Sequence, residues 1–333
     1  MGASGQSGDV RSGRRWRRTL AVALLAWVAA LGGANSLHAY EADQYSHRLV
    51  PLRDSREVLN RRVNDALREI LAAWRGGPPR TMIEKWRFAR RIYWRLGGLF
   101  WVHHLEAWAA KTPQIERLPQ SRFHSIYDGS PLFPGPILKV FGVCHTIEIA
   151  GSLLGTDKLG HFFAQGVKYY GSYLLGLGES RILHRGEFNE RWLFGEWTTG
   201  VYSNADIVAD YEGYRFYRSL FEDGIVPGKP AIVGWRDGQP FLQRPFDWAD
   251  HVNDYWDEEA NPSFLAPGLQ RFMSVRLPAL CPDYWRNPQQ WMPRDEAELE
   301  RRYAGIGLRR ALQNRMDNVC AAEAARLAFR AAP

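Results

Sequence analysis

Between residues 155 and 162 the chain reads Gly-Thr-Asp-Lys-Leu-Gly-His-Phe. Asp157 and His161 stand four apart, so on a helix they project from one face. Imidazole titrates near neutrality and ligates metals, and a carboxylate beside it orients the ring or shares the metal. Residues 202–214, Tyr-Ser-Asn-Ala-Asp-Ile-Val-Ala-Asp-Tyr-Glu-Gly-Tyr, repeat that spacing with two carboxylates, Asp206 and Asp210. Like charges on one apolar helix face repel, and a cation or a base between them relieves the repulsion. Antiparallel packing of the two helices would bring Asp157, His161, Asp206 and Asp210 together. Such a donor set suits Zn²⁺, Mn²⁺ or Fe. A metal held there would activate water for hydrolysis, with His161 and Asp157 catalytic and Glu148 or Glu212 as general base. Local structure offers a competing account. Thr156 reads as an N-cap with Asp157 favoured in the first turn, and Ser203-x-x-Asp206 reads as a capping box. His161 and Asp210 are the two that capping does not explain.

The string at 156–162 resembles the DKxxHF motif of VanZ-like proteins and of YfiM-like small envelope proteins. YSNADIVADYEGYRFY (202–217) together with FDWADHVNDYWDEEANPS (246–263) is similar to uncharacterised exported proteins of Gram-negative bacteria. The resemblance implies that Asp157, Lys158 and His161 are motif residues and that the setting is the cell envelope. VanZ-like proteins are polytopic in the membrane, whereas this chain has one strongly apolar segment, at its N-terminus.

That segment reads as a targeting signal. Five arginines (Arg11, Arg14, Arg15, Arg17, Arg18) precede the uncharged run Leu20–Leu31, and small residues lead to Ala39. The run is about 12–15 residues, short of the roughly 20 that span a bilayer. Residues 1–39 are therefore expected to be a signal peptide and 40–333 one exported, periplasmic domain. The alternative is an uncleaved segment anchored in the inner membrane. The whole chain carries 43 Lys+Arg against 36 Asp+Glu, or +7. The first 39 residues contribute five arginines and one acid, which leaves +3 and removes the charge argument for nucleic-acid binding. In an oxidising compartment Cys281 and Cys320 are expected to pair, with Cys144 a buried thiol.

The elements that must position the motif residues read as mainly helical. The expected architecture is an irregular helical bundle with long ordered loops and one small β-hairpin. Basic helices are expected within 54–110, the second opening on a Thr81-x-x-Glu84 capping box and kinking at Gly97-Gly98. Core helices should fill 137–221, divided at Gly155-Thr156 and interrupted by a loop over about 179–200. Residues 231–243 carry a hairpin signal around Asp237-Gly238. An acidic, aromatic helix over 246–259 should lead into further helices to 331; its Asp250, Asp254 and Asp257 or Glu258 form a solvated charge run, or line the same cleft, or bind Ca²⁺. Residues 48–95 hold thirteen Lys and Arg against five acids, while 96–333 sum to −3. A basic segment over 81–110 carrying Trp and Tyr would suit an anionic membrane surface, or a packed helix with a solvated basic face. Walker A, GxSxG and HExxH patterns are absent from the sequence. Two readings of function remain: a hydrolase acting on an envelope glycan, peptide or lipid, and a non-catalytic scaffold or membrane-surface binding protein.

Overall fold

The computed structural model describes residues 41–98, 103–118, 123–130, 143–189 and 200–331, with the side chains of 185–189 excepted. The expected signal peptide and the first part of the 137–155 segment lie outside them. The fold is mainly α-helical, with short antiparallel strand pairs. Among the described residues no helix is long and apolar enough to cross a membrane.

Helix α1 (Arg56–Ala73) buries Leu59, Val63, Leu67 and Ile70 along one face. Helix α2 (Met82–Ile92) starts at the expected capping box. Thr81 Oγ accepts from the Glu84 amide at 3.3 Å, and Glu84 Oε2 accepts from the Thr81 amide at 2.9 Å. Its last turn widens into a π-turn, Tyr93–Gly97, which Gly98 ends with a φ of +97°. The basic segment is therefore broken, and α3 (His104–Ala109) is a separate short helix.

Residues 143–155 are not helical. Strands β1 (Thr146–Ile149) and β2 (Ser152–Gly155) pair antiparallel around Ala150 and Gly151, whose φ values are +53° and +81°. A two-residue turn in the left-handed region matches the twist of the paired strands, and alternating Thr-Ile-Glu-Ile suits one buried strand face. Helices α4 (Asp157–Gly160) and α5 (Gly166–Leu174) follow, joined by a π-turn, His161–Gln165. Part of the expected loop after 179 is helical, as α6 (Glu179–Asn189).

Strand β3 (Val201–Tyr202) pairs with β6 (Phe264–Leu265) and leads into α7 (Asn204–Ser219), the most enclosed helix of the fold. Ser203 caps α7, its Oγ accepting from the Asp206 amide at 3.1 Å. The hairpin of β4 (Val233–Arg236) and β5 (Gln239–Leu242) turns at Asp237-Gly238 as expected.

The helix expected over 246–259 is replaced by two 3₁₀ turns, Trp248–Asp250 and Asp254–Trp256. Asp247 and Asn253 each accept from the backbone amide two residues on, which offers the chain a turn in competition with the helix. The solvated charge run is also overturned, because Asp257, Glu258 and Glu259 are buried. Helices α8 (Pro267–Arg276), α9 (Cys281–Arg286), α10 (Glu296–Arg302) and α11 (Met316–Ala331) complete the chain. A Cys281–Cys320 disulfide ties α9 to α11, and Cys144 is free and buried.

The core centres on Phe162, Phe163, Phe216, Phe246, Trp248 and Trp256, mostly in edge-on contacts. Two glycines let α5 and α7 cross against it. A Cβ on Gly213 would lie 2.0 Å from the Phe162 carbonyl oxygen, and one on Gly166 would lie 2.5 Å from the Gly213 carbonyl carbon. The obstacles are backbone atoms, which cannot rotate away. Gly213→Ala should therefore cost about 1–3 kcal/mol or more through overpacking, read as a lower urea midpoint with the helical circular dichroism kept.

Candidate functional site

Lys158 lies in the first turn of α4 with a side chain that is completely buried. An ammonium group taken out of water needs close counter-charges. Three carboxylates supply them: Asp157 Oδ2 at 2.8 Å, Asp206 Oδ1 at 2.7 Å and Glu258 Oε1 at 2.7 Å from Nζ. They come from α4, from α7 and from the segment after the second 3₁₀ turn. Ser203 Oγ adds a hydrogen bond to Glu258 Oε1 at 3.1 Å, and Cys144 Sγ donates to Asp157 Oδ1 at 3.2 Å.

His161 extends the cluster towards solvent. Its Nε2 stands 3.4 Å from Asp206 Oδ2, and its Nδ1 stands 3.0 Å from Asp210 Oδ1. Tyr169 donates to Asp210 Oδ2 at 3.4 Å. The π-turn explains why His161 and Tyr169 reach one carboxylate. Eight residues of regular α-helix would rotate them about 80° apart, and one residue absorbed in a wide turn returns Tyr169 to the face of His161. Gly160, between Lys158 and His161 on this run, faces α3. A Cβ there would lie 2.1 Å from His103 Nδ1, which is itself paired with Glu106 at 2.8 Å.

The electrostatics follow from burial working against these pairings. Burial opposes the charge on Lys158, but Asp157, Asp206 and Glu258 outweigh it and raise its pKa well above the ordinary lysine value. Burial pushes Asp157 up, and Lys158 and His161 outweigh it to hold that carboxyl low. Glu258 is pushed up to about 7, chiefly by burial, with Lys158 opposing and Asp206 and Asp157 adding repulsion. Burial also raises Asp210, against the pull of His161. Four carboxylates therefore face one fixed cation and one imidazole, with a carboxyl able to hold a proton near neutral pH.

Asp157, His161, Asp206 and Asp210 thus converge as their spacing implied. Asp157 and His161 are linked through Lys158 and Asp206, and Asp206 and Asp210 are linked through His161. The two expected general bases lie elsewhere. Glu148, on β1, lines a cavity of about 350 Å³ with Asp254 and Arg294. Glu212 points away from Asp206 and Asp210 because two residues of helix turn it by about 200°. It is enclosed by Arg215, Arg302, Tyr303 and His251 at 2.9, 2.8, 2.9 and 3.1 Å. These partners overcome burial and lower its pKa to about 2.

Two members of the cluster, Lys158 and Glu258, lie outside the expected ligand and catalytic set. Lys158 stood in the motif, but its role needed three carboxylates from distant segments. Glu258 belongs to the acidic 246–259 stretch, whose carboxylates diverge: Asp250 pairs with Lys229 and Arg244, Asp254 with Arg294, and Asp257 with Arg48. Glu259 lies 3.6 Å from Arg48 and accepts from the Met316 amide at 3.1 Å, yet burial pushes its carboxyl up to about 8.

No family model matches the chain, and no curated protein and no solved structure matches it either.

Removing the internal cation should be costly. Lys158→Met leaves buried carboxylates unpaired and should lose about 3–5 kcal/mol in urea denaturation. Adding Glu258→Gln should return part of that loss, read as coupling in a double-mutant cycle. A second prediction concerns Glu259. Its folded pKa is raised, so the folded state holds a proton that the unfolded chain has released. Stability from this group is complete below about pH 4.5 and fades as pH rises to about 8. Glu259→Gln should therefore gain stability relative to the parent with rising pH across that window, measured by denaturation at pH 5 and pH 8.

Proposed function

We propose that this is an exported envelope protein in which His161, held between Asp206 and Asp210, is the proton-transfer group of a hydrolytic site acting on an envelope glycan, peptide or lipid. One observation carries the reading. The His161 side chain is 19% exposed, while those of Lys158, Asp157, Asp206, Asp210 and Glu258 are at most 7% exposed. A proton exchanging with solvent meets the imidazole before any other member of the cluster. With a carboxylate near each ring nitrogen, the imidazolium form of the ring is an acid towards a leaving group. Once deprotonated, the ring is a base oriented by Asp210 and able to take a proton from water. The envelope setting is supported by the basic, apolar N-terminal pattern and by the DKxxHF resemblance.

A metal reading has its own support. Ligand oxygens of Asp157, Asp206 and Glu258 lie within 4.8 Å of one another. Of Zn²⁺, Mn²⁺ and Fe, the all-oxygen donor set suits Mn²⁺ best. The Lys158 ammonium lies within 2.8 Å of all three carboxylates. A divalent ion would have to displace it, and for that reason the metal-free acid–base reading is preferred.

The test pairs elemental analysis, on protein purified without a chelating tag, with hydrolysis assays over envelope glycans, peptides and lipids. The acid–base reading expects substoichiometric metal and chelator-insensitive hydrolysis that falls about 10²–10⁴-fold in a folded His161→Gln variant. Stoichiometric metal that Asp206→Asn releases would move the assignment to the metal reading. Unchanged hydrolysis in His161→Gln would remove the imidazole from the chemistry. Failure to hydrolyse any substrate class, with His161→Gln only less stable, would leave a non-catalytic scaffold.

A further inference from the structure

The structure carries an exposed, unbalanced face remote in sequence from the Lys158 cluster. Helix α2 packs through Phe88, Ala89 and Ile92. At 100° per residue, Ile83, Arg87 and Arg90 fall within about 60° of one another on the opposite side, and Trp94 follows in the π-turn that continues the helix. Ile83 is 65% exposed and Trp94 is 44% exposed, with Met82 at 52% beside them. The two apolar ends are about 16 Å apart along the helix. Arg87 and Arg90 stand between them, exposed and without an ion-pair partner among the described residues.

Three neighbouring charges are occupied. Glu84 accepts from the amides of Arg80 and Thr81 in its capping box. Arg95 pairs with Glu69 at 2.6 Å, and Arg91 lies over the Trp74 ring at 4.9 Å. The stripe is therefore positive at its centre and apolar at its ends. A soluble polyanion would satisfy the two arginines and leave Ile83 and Trp94 in water. An anionic bilayer satisfies both: headgroup phosphates meet Arg87 and Arg90, while the apolar ends enter the interface, where Trp is favoured.

We infer that the Ile83–Arg87–Arg90–Trp94 face of α2 docks on the surface of an anionic lipid bilayer. This inference is independent of the chemistry assigned to His161. It narrows the basic 81–110 segment to one helix face, because Gly98 and the separate α3 prevent a continuous amphipathic helix.

The test must separate this face from any binding through the N-terminal segment, so it reads position rather than binding alone. A nitroxide is placed at Ile83→Cys in the full chain, with Val275→Cys, 77% exposed, as the control position. Cys144 is buried and Cys281 and Cys320 are bonded, so the new thiol is the one open to labelling. Collision with oxygen and with a water-soluble nickel complex is measured on vesicles of phosphatidylcholine with 30% phosphatidylglycerol and on phosphatidylcholine alone. The label at 83 should gain oxygen contact and lose nickel contact on the anionic vesicles, while the label at 275 stays wet. Arg87→Ala/Arg90→Ala should reduce the fraction of docked label about tenfold or more, and high salt should weaken docking. A label at 83 that stays wet on vesicle-bound protein would overturn the inference. Docking unaffected by the arginine pair would do the same, as would heparin competing fully while the label remains in water.

Discussion

The burial of one ammonium group constrains this fold more than any other single interaction. Lys158 has no water to return to, so its charge is stable only while Asp157, Asp206 and Glu258 all remain within reach. Their three segments are separated by up to 100 residues, and the cation fixes them relative to one another. The surrounding hydrogen bonds extend that constraint to the segment before α1. Gln44 Oε1 accepts from the Glu258 amide at 3.2 Å, and the Tyr45 hydroxyl donates to the Glu258 carbonyl at 3.2 Å. Arg48 then reaches Asp257 and Glu259 four residues further on. The acidic stretch 257–259 is thus held internally by two cations, and burial of all three carboxylates becomes intelligible.

Close backbone approach is the second requirement, and it depends on the first. Charge pairs near 2.7 Å tolerate little slack between α4, α5 and α7. Gly166 and Gly213 remove the side chains that would separate α5 from α7, and Gly160 does the same towards α3. The π-turn at His161–Gln165 adjusts the rotation so that Lys158, His161 and Tyr169 all address carboxylates. Packing and electrostatics are therefore one problem here: the aromatic core presses the helices together, and the ion network sets their register.

Much of the site was legible in the sequence because it depends on local spacing. Asp157 with His161, and Asp206 with Asp210, declare one helix face each, and their convergence needs only that the two helices pack. The Ser203 and Thr81 caps, the Asp237-Gly238 hairpin and the Cys281–Cys320 bond are likewise local or sparse choices. What could not be read was set by distant partners. Lys158 looks like an interruption of an apolar run until Asp206 and Glu258 are placed around it. Glu148 and Glu212 have the composition of general bases, but helix rotation and strand register turn them elsewhere. Residues 143–155 have enough apolar character for a helix, and the Ala150-Gly151 turn decides for a hairpin. In 246–259 the side chains of Asp247 and Asn253 divert the backbone into 3₁₀ turns despite helical periodicity.

Two of the histidine–carboxylate pairs differ sharply in their surroundings. His251 and Glu212 form a pair as close as His161 and Asp210, at 3.1 and 3.0 Å. Yet Glu212 is surrounded by donors that lower its pKa to about 2, and His251 stacks against Phe246 with a side chain 1% exposed. His251 is enclosed there, and Glu212 ties α7 to α10 through Arg302. Around His161 the balance runs the other way. Carboxylates outnumber cations, Glu258 titrates near neutrality, and the imidazole stands at the margin of the cluster. Burial raises the Glu258 and Asp210 carboxyls, and His161 is the most exposed member of the cluster. The same excess of carboxylate that makes Lys158 indispensable to the fold underlies the proton-transfer role proposed for His161.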